Sequence, residues 1–150
     1  MARTLDDVRR LVAADGGLAT LSVTRPDGTV QSSLVNAGVL AHPLTGAQVV
    51  GLVALGGTVK LDHLRRRFWA TISWRAGLDW ITAEGSVELA GPDDALPGLS
   101  PDRLPGLLRA VFTGAGGTHD DWLTYDRVMA EEHRVAVLVT PARIYGNPVD

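Results

Sequence analysis

The ten residues VKLDHLRRRF, Val59 to Phe68, hold the chain's single lysine and its longest arginine run, in a protein whose formal charge is −3. Cations grouped in this way recognise anions: a phosphate, a carboxylate-bearing tail or a nucleic-acid backbone. Leu61, Leu64 and Phe68 recur at helical spacing, which predicts a short amphipathic helix with those three as its apolar stripe. On such a helix Lys60 and Arg67 share a face while Arg65 and Arg66 point progressively away, so the arginines form a rim and not a flat patch. Lys60 falls in the first turn, where unpaired N–H groups and the macrodipole favour an anion and repel a lysine by about a few tenths of a kcal/mol. A bound phosphate would offset that repulsion. The other reading is a solvated helix face, and spacing alone leaves both open.

Other reactive groupings carry less. GAGG, Gly114 to Gly117, follows a helical pattern and lacks the G-x-G-x-x-G spacing of a dinucleotide loop, so it reads as a helix end. In HDD, His119 to Asp121, neighbouring side chains diverge and no partner stands four residues on; Asp120 or Asp121 is expected to cap a helix, and no metal site is expected. Several serines could be paired on paper with His42, His63 or His133, but no G-x-S-x-G elbow favours one. Cysteine is absent, which removes disulfides, thiolate zinc, iron–sulfur ligation and a cysteine nucleophile together. No catalytic side chain is assigned from the sequence. All four tryptophans, Trp69, Trp74, Trp80 and Trp122, read mainly as core, and Trp80, in a strand beside a polar turn, could also wall a planar-ligand pocket.

These groups need elements to position them. LATLSVT (Leu18 to Thr24) and TVQSSLVN (Thr29 to Asn36) alternate apolar and polar residues about the turn RPDGT, which predicts a β-hairpin over 18–36. Val49 to Leu55 reads as a buried strand stopped by Gly56-Gly57, after which the Thr58 hydroxyl is placed to cap the helix of Lys60. WATISWR and DWITAEGSVEL read as two strands about a tight turn. Leu104 to Phe112 and Trp122 to Met129 follow helical spacing, and RVAVLVT and RIYG are expected to close the chain as two strands around Pro141. An initial helix precedes them all. Short connections require antiparallel pairing, and about six strands with helices at the periphery predict a mainly β, closed or nearly closed barrel.

At 150 residues and 45% hydrophobic, the chain supports one core, hence a single domain over 1–150. Its acidic balance argues against nucleic acid as the partner. The longest apolar stretch, AQVVGLVAL, is far short of the roughly 20 residues of a membrane span, and the N-terminus lacks a leader's apolar segment. A soluble cytoplasmic protein is the expectation.

Five segments in register, DGTVQSSLVN, KLDHLRR, WITAEGSVEL, GGTHDDWLTYDRVM and RVAVLVTPARIYGNP, resemble the flavin- and deazaflavin-dependent pyridoxamine-5′-phosphate-oxidase-like proteins from about Leu18 to Pro148. The nearest likeness is to small members that use coenzyme F420. The resemblance implies a six-stranded split β-barrel working as a homodimer with cofactor sites across the interface, and an oxidoreductase passing hydride to an unidentified small molecule. FMN in place of F420, or a non-catalytic cofactor-binding protein of the same fold, are the alternatives. Carried onto this chain, Lys60 matches the cofactor-phosphate lysine, and Gln31, Ser32 and Ser33 match the strand along the ring. Val53 and Ala54 match backbone beside the ring. His63 falls where many relatives have asparagine near the cofactor, and Trp80 matches a wall often presented by the partner subunit. Two departures stand out. Thr58 occupies a position that is basic in many relatives; the resemblance implies that the Thr58 helix start and Lys60 hold the phosphate, with its charge either less fully neutralised or completed by Arg65. Phe68 and Trp69 replace a proline and an arginine after the helix. The C-terminal arginine pattern of a true pyridoxamine-phosphate oxidase is missing, which argues against vitamin B6 oxidation.

Overall fold

A capping box opens the fold: the Thr4 N–H donates to the Asp7 carboxylate at 2.8 Å and starts helix α1 (Leu5–Asp15), which Gly16 ends in the left-handed conformation. In the computed structural model, which describes residues 3–147, the chain continues through β1 (Leu18–Thr24), β2 (Val30–Ala41), β3 (Gln48–Ala54), α2 (Val59–Arg66), β4 (Trp69–Ala76) and β5 (Asp79–Ala90). A single 3₁₀ turn then leads into α3 (Leu104–Gly114), followed by α4 (Trp122–Glu131) and β6 (Val135–Gly146). Pro148, the last residue of the family-like segment, lies outside the described residues.

All strand pairs are antiparallel and the sheet closes in the order β1-β2-β3-β6-β5-β4, with β4 returning to β1. The expected barrel is therefore the observed one. The period of two decides the faces: Ala19, Leu21 and Val23 of β1 and Ile72 and Trp74 of β4 turn inward, joined by Leu52, Ile81 and Val137. Trp74 is fully enclosed and donates its indole N–H to the Ala37 carbonyl at 2.9 Å. Val8 and Leu11 of α1 and Leu61 and Leu64 of α2 complete this interior. A second cluster lies outside the barrel, where Leu107, Leu108 and Val111 of α3 and Tyr125 of α4 cover Leu40, Val49 and Leu138.

Four expectations change in detail. The hairpin strand predicted to end at Asn36 runs on to Ala41, and its second half pairs with β3. The two closing strands are one: β6 passes through Pro141, which faces Gly85 at a register shift where a missing ladder donor does no harm. The helix of Lys60 ends at Arg66, with Arg67 extended, so Lys60 and Arg67 do not share a helical face. Phe68 falls past that end and is exposed instead of lying in the apolar stripe. As expected, Asp121 caps α4, accepting from the Thr124 N–H at 3.1 Å. Among the described residues no helix is long and apolar enough to cross a membrane, and no metal-ligating group of side chains is found.

Candidate functional site

The loop between β3 and α2 is pressed against the corner between α4 and β6. Gly56 donates its N–H to the Glu132 carbonyl at 3.2 Å, and a Cβ on Gly56 would collide with the His133 carbonyl. Only glycine permits that approach. His133 itself turns the corner with φ at 51°, an uncommon conformation for a residue with a side chain. Thr58 stands at the N-cap of α2 in extended conformation, but its hydroxyl donates back to the Leu55 carbonyl at 2.9 Å and caps nothing. The predicted hydroxyl cap is thus replaced by a turn-closing bond, and the start of α2 has no side-chain cap.

Lys60 lies in that uncapped first turn. It is half-buried and has no carboxylate partner among the described residues, and burial, followed by the nearby charge of Arg134, holds its ammonium below the ordinary lysine range. Arg134 places Nε and one terminal nitrogen on a single oxygen of Glu132, each at 3.1 Å, and its other terminal nitrogen has no hydrogen bond among the described residues. Two cations therefore converge on a helix start with one carboxylate oxygen between them and the rest of the chain. Arg65 is differently employed: Nε and Nη2 grip both oxygens of Asp94 at 2.9 and 2.7 Å, and Nη1 lies 3.3 Å from Asp62. Those partners hold its guanidinium above the ordinary arginine range, the Asp94 hydrogen bonds first. Arg66 and Arg67 are exposed, without ion pairs among the described residues.

Beside this corner the sheet opens. The bonded ladder of β2 and β3 stops at the pair Ala37–Leu52, so Asn36 and Val53 do not pair with each other; Asn36 pairs instead with Leu18 of β1 and Val53 with Ala136 of β6, and the two flank a groove of about 210 Å³. Its far wall is Phe112, Tyr125 and Met129 of α3 and α4, and Arg134 closes it on the side toward Lys60. The Tyr125 hydroxyl donates to the Leu108 carbonyl at 3.1 Å, which fixes its ring as a wall of the groove, and burial raises its pKa. The groove is lined mainly by apolar and aromatic side chains with Arg134 as its cation, a lining that suits an aromatic body carrying an anion.

The other predicted positions divide. Alternation turns Ser32 outward, where its hydroxyl lies 2.9 Å from that of Ser22, on the same side of β2 as Asn36. Gln31 and Ser33 pair with Val23 and Leu21, which places them on the interior side, and the Gln31 carboxamide oxygen is buried without a partner. Val53 faces the groove while Ala54 faces the core. His63 is 8% exposed, one turn beyond Lys60, with Nδ1 unpartnered. Trp80 is 40% exposed, edge-on to Tyr145 at 6.2 Å between ring centroids. It belongs to the opposite end of the β5–β6 ladder, where Ile81 pairs with Gly146, whereas Ala136, two residues from Arg134, pairs with Ala90. About 30 Å of strand separates those ends, so one chain does not bring Trp80 to Lys60.

Sequence reasoning missed Arg134, Asn36 and the α3–α4 wall. Arg134 stood in a strand-forming run with nothing to mark it, and its proximity to Lys60 exists only once β6 lies beside β3.

No family model matches the sequence. Solved structures do match the fold. A protein of unknown function from Agrobacterium tumefaciens superposes with a TM-score of 0.66 at 12% identity, over 98% of this chain and 57% of its own length. The chain thus spans little more than half of that relative. A pyridoxamine 5′-phosphate oxidase-related, FMN-binding protein from Nostoc punctiforme matches with a TM-score of 0.61 at 14% identity, over 93% of this chain and 78% of that one. The fold is the pyridoxamine-5′-phosphate-oxidase-like split β-barrel. An F420 reductase matches with a TM-score of 0.59 at 15% identity, covering 89% of this chain and 93% of that one. In split-barrel terms, the groove at Asn36 and Val53 is where the ladder between adjacent strands parts.

Proposed function

We propose that this split barrel is an oxidoreductase that holds a phosphate-bearing deazaflavin, coenzyme F420, and acts on a small organic molecule. One observation carries the reading: Lys60 is half-buried without a carboxylate partner, beside Arg134, at an uncapped helix start. A half-buried cation without a counter-ion calls for an anion, and a phosphate meets the need with two or three charge-assisted hydrogen bonds. The residues present suit the group. The apolar groove next to Arg134 takes a flat ring, Ser32 lies on the same side of β2, and the unpartnered His63 Nδ1 and Gln31 oxygen are spare polar atoms within the same elements.

When bound, the deazaflavin supplies hydride-transfer chemistry, and the protein's part is binding, orientation and electrostatics. Lys60 and Arg134 fix one end of the ligand by charge. Val53, Phe112 and Met129 would give such a ring an apolar wall. Arg66 and Arg67, both exposed, suit an anionic tail leaving the site, whereas Arg65 is committed to Asp94 and drops out of the phosphate set. The free arginines favour F420 over FMN, which has one phosphate and no acidic tail. Trp80, remote from Lys60 along β5, supports a homodimer in which each site takes Lys60 from one protomer and Trp80 from its partner.

The test is titration of the purified protein with F420 and with FMN, followed by fluorescence or absorbance, repeated on Lys60→Ala. The reading expects saturable F420 binding weakened roughly tenfold or more in the variant. Tight FMN binding with none for F420 would exchange the cofactor, and binding of neither would end the proposal.

A further inference from the structure

A second cavity lies on the other side of Met129 and Arg134 from the groove. It has a volume of about 360 Å³, within the range of small-molecule sites, and is enclosed by Leu104 and Leu108 of α3, Met129 and Ala130 of α4, and Pro92 and Pro101 of the connecting loop. Such a wall offers no hydrogen bonds, so it favours an apolar body. The charged side chains of its lining are Asp126 and Arg134, with the His133 imidazole as a further polar group. Asp126 is already answered, since Arg109 grips both of its oxygens. Arg134 is answered by a single oxygen of Glu132, which leaves a terminal nitrogen to donate. His133 is exposed and held in its left-handed turn by the Gly56 contact. Counting Arg109, Arg134 and Lys60 against Asp126 and Glu132, the unanswered charge at this corner is positive.

We infer that this cavity is a separate binding site for an organic monoanion of one or two rings, its body between α3 and α4 and its carboxylate on Arg134. It is independent of which cofactor, if any, the groove holds. Arg134 serves both chambers, so an anion in the cavity withdraws positive potential from Lys60 and the two ligands oppose one another.

Calorimetric titration of the full chain with 2-naphthoate, and with the neutral 2-naphthalenemethanol, tests the inference. Naphthoate should saturate at one per chain and bind roughly tenfold more tightly than the alcohol. Ala130→Trp, at an exposed helix position on the cavity wall, should abolish most of that affinity, and Arg134→Gln should reduce naphthoate to the level of the alcohol. Lys60→Ala, which removes only a neighbouring positive charge, should weaken naphthoate by about twofold at most, far less than Arg134→Gln. A measurement on the unaltered chain avoids dependence on variant folding: with methyl-labelled methionine, one of only two methionine signals, that of Met129, should shift on titration. No saturable binding, no Met129 shift, or persistence of full affinity in a folded Ala130→Trp protein would overturn the site. Loss of naphthoate in Lys60→Ala would also overturn it, by assigning the anion to the head of α2.

Discussion

Lys60, at the head of α2, and the nearby Arg134 carry like charges, and burial together with that repulsion holds the lysine ammonium below its ordinary range. A lysine so placed binds more protons in the unfolded chain than in the folded one. Stability attributable to it therefore rises with pH as the native ammonium is lost ahead of the unfolded one. Lys60→Met should melt at a higher temperature than the parent at neutral pH, and the gap should close as pH climbs through the depressed lysine pKa. A calorimetric series across alkaline pH checks this; a gap constant across that range would mean that Lys60 carries no strain.

Bound phosphate reverses the sign at the same residue. An anion favours the charged lysine, so its affinity should fall over the alkaline range in which free Lys60 loses its proton. Inorganic phosphate at fixed ionic strength is a sufficient probe, since its own charge is constant there. The pH dependence should vanish in Lys60→Met, and its survival would assign it to another group.

Arg65 should separate stability from binding. Its bidentate hold on Asp94, 12% exposed, ties the start of the loop after β5 to α2, so Arg65→Ala should cost about 1 kcal/mol in a denaturant melt. Cofactor affinity should change less than twofold or so. The opposite pattern, intact stability with lost affinity, would return Arg65 to the phosphate set.

The contrast between Arg65 and Arg134 marks how far the sequence could be read. Alternation in β1 and β2, the glycine pair before α2 and the helical spacing from Leu104 onward are local signals, and they give the barrel and nearly all its elements. The signal that singled out Lys60 was also local, a lysine in a first turn. What answers each cation is not local: Asp94 reaches Arg65 across the β5 exit, and Arg134 meets Lys60 only because β6 inserts between β3 and β5. The proline in β6 misled for the same reason. Read alone it breaks a strand, but Gly85 opposite it supplies a bulge that absorbs the missing donor.

Gly56 couples the corner to the site. Gly56→Ala would push a methyl group into the His133 carbonyl and within 2.7 Å of the His133 Cβ, and the loop must shift to relieve it. Destabilisation of about 1–3 kcal/mol is expected, with phosphate affinity falling too because Lys60 and Arg134 are moved apart. Equal affinity in a folded Gly56→Ala protein would show that the approach of loop and corner is packing alone.

The distance between Lys60 and Trp80 along one chain makes the subunit question answerable by mixing. If each site takes Lys60 from one protomer and Trp80 from its partner, Lys60→Ala and Trp80→Ala proteins each bind cofactor poorly alone. A mixed dimer then carries one site with both defects and one with none. Unfolding and refolding the two variants together in equal amounts should make about half of the dimers mixed, and so restore roughly a quarter of the parent's tight sites. Trp80 is partly exposed and only edge-on to Tyr145, so its removal should leave the barrel's melting temperature nearly unchanged. No recovery on mixing, with both variants folded and dimeric by sedimentation, would mean that each site is built within one chain and that Trp80 serves the interface alone.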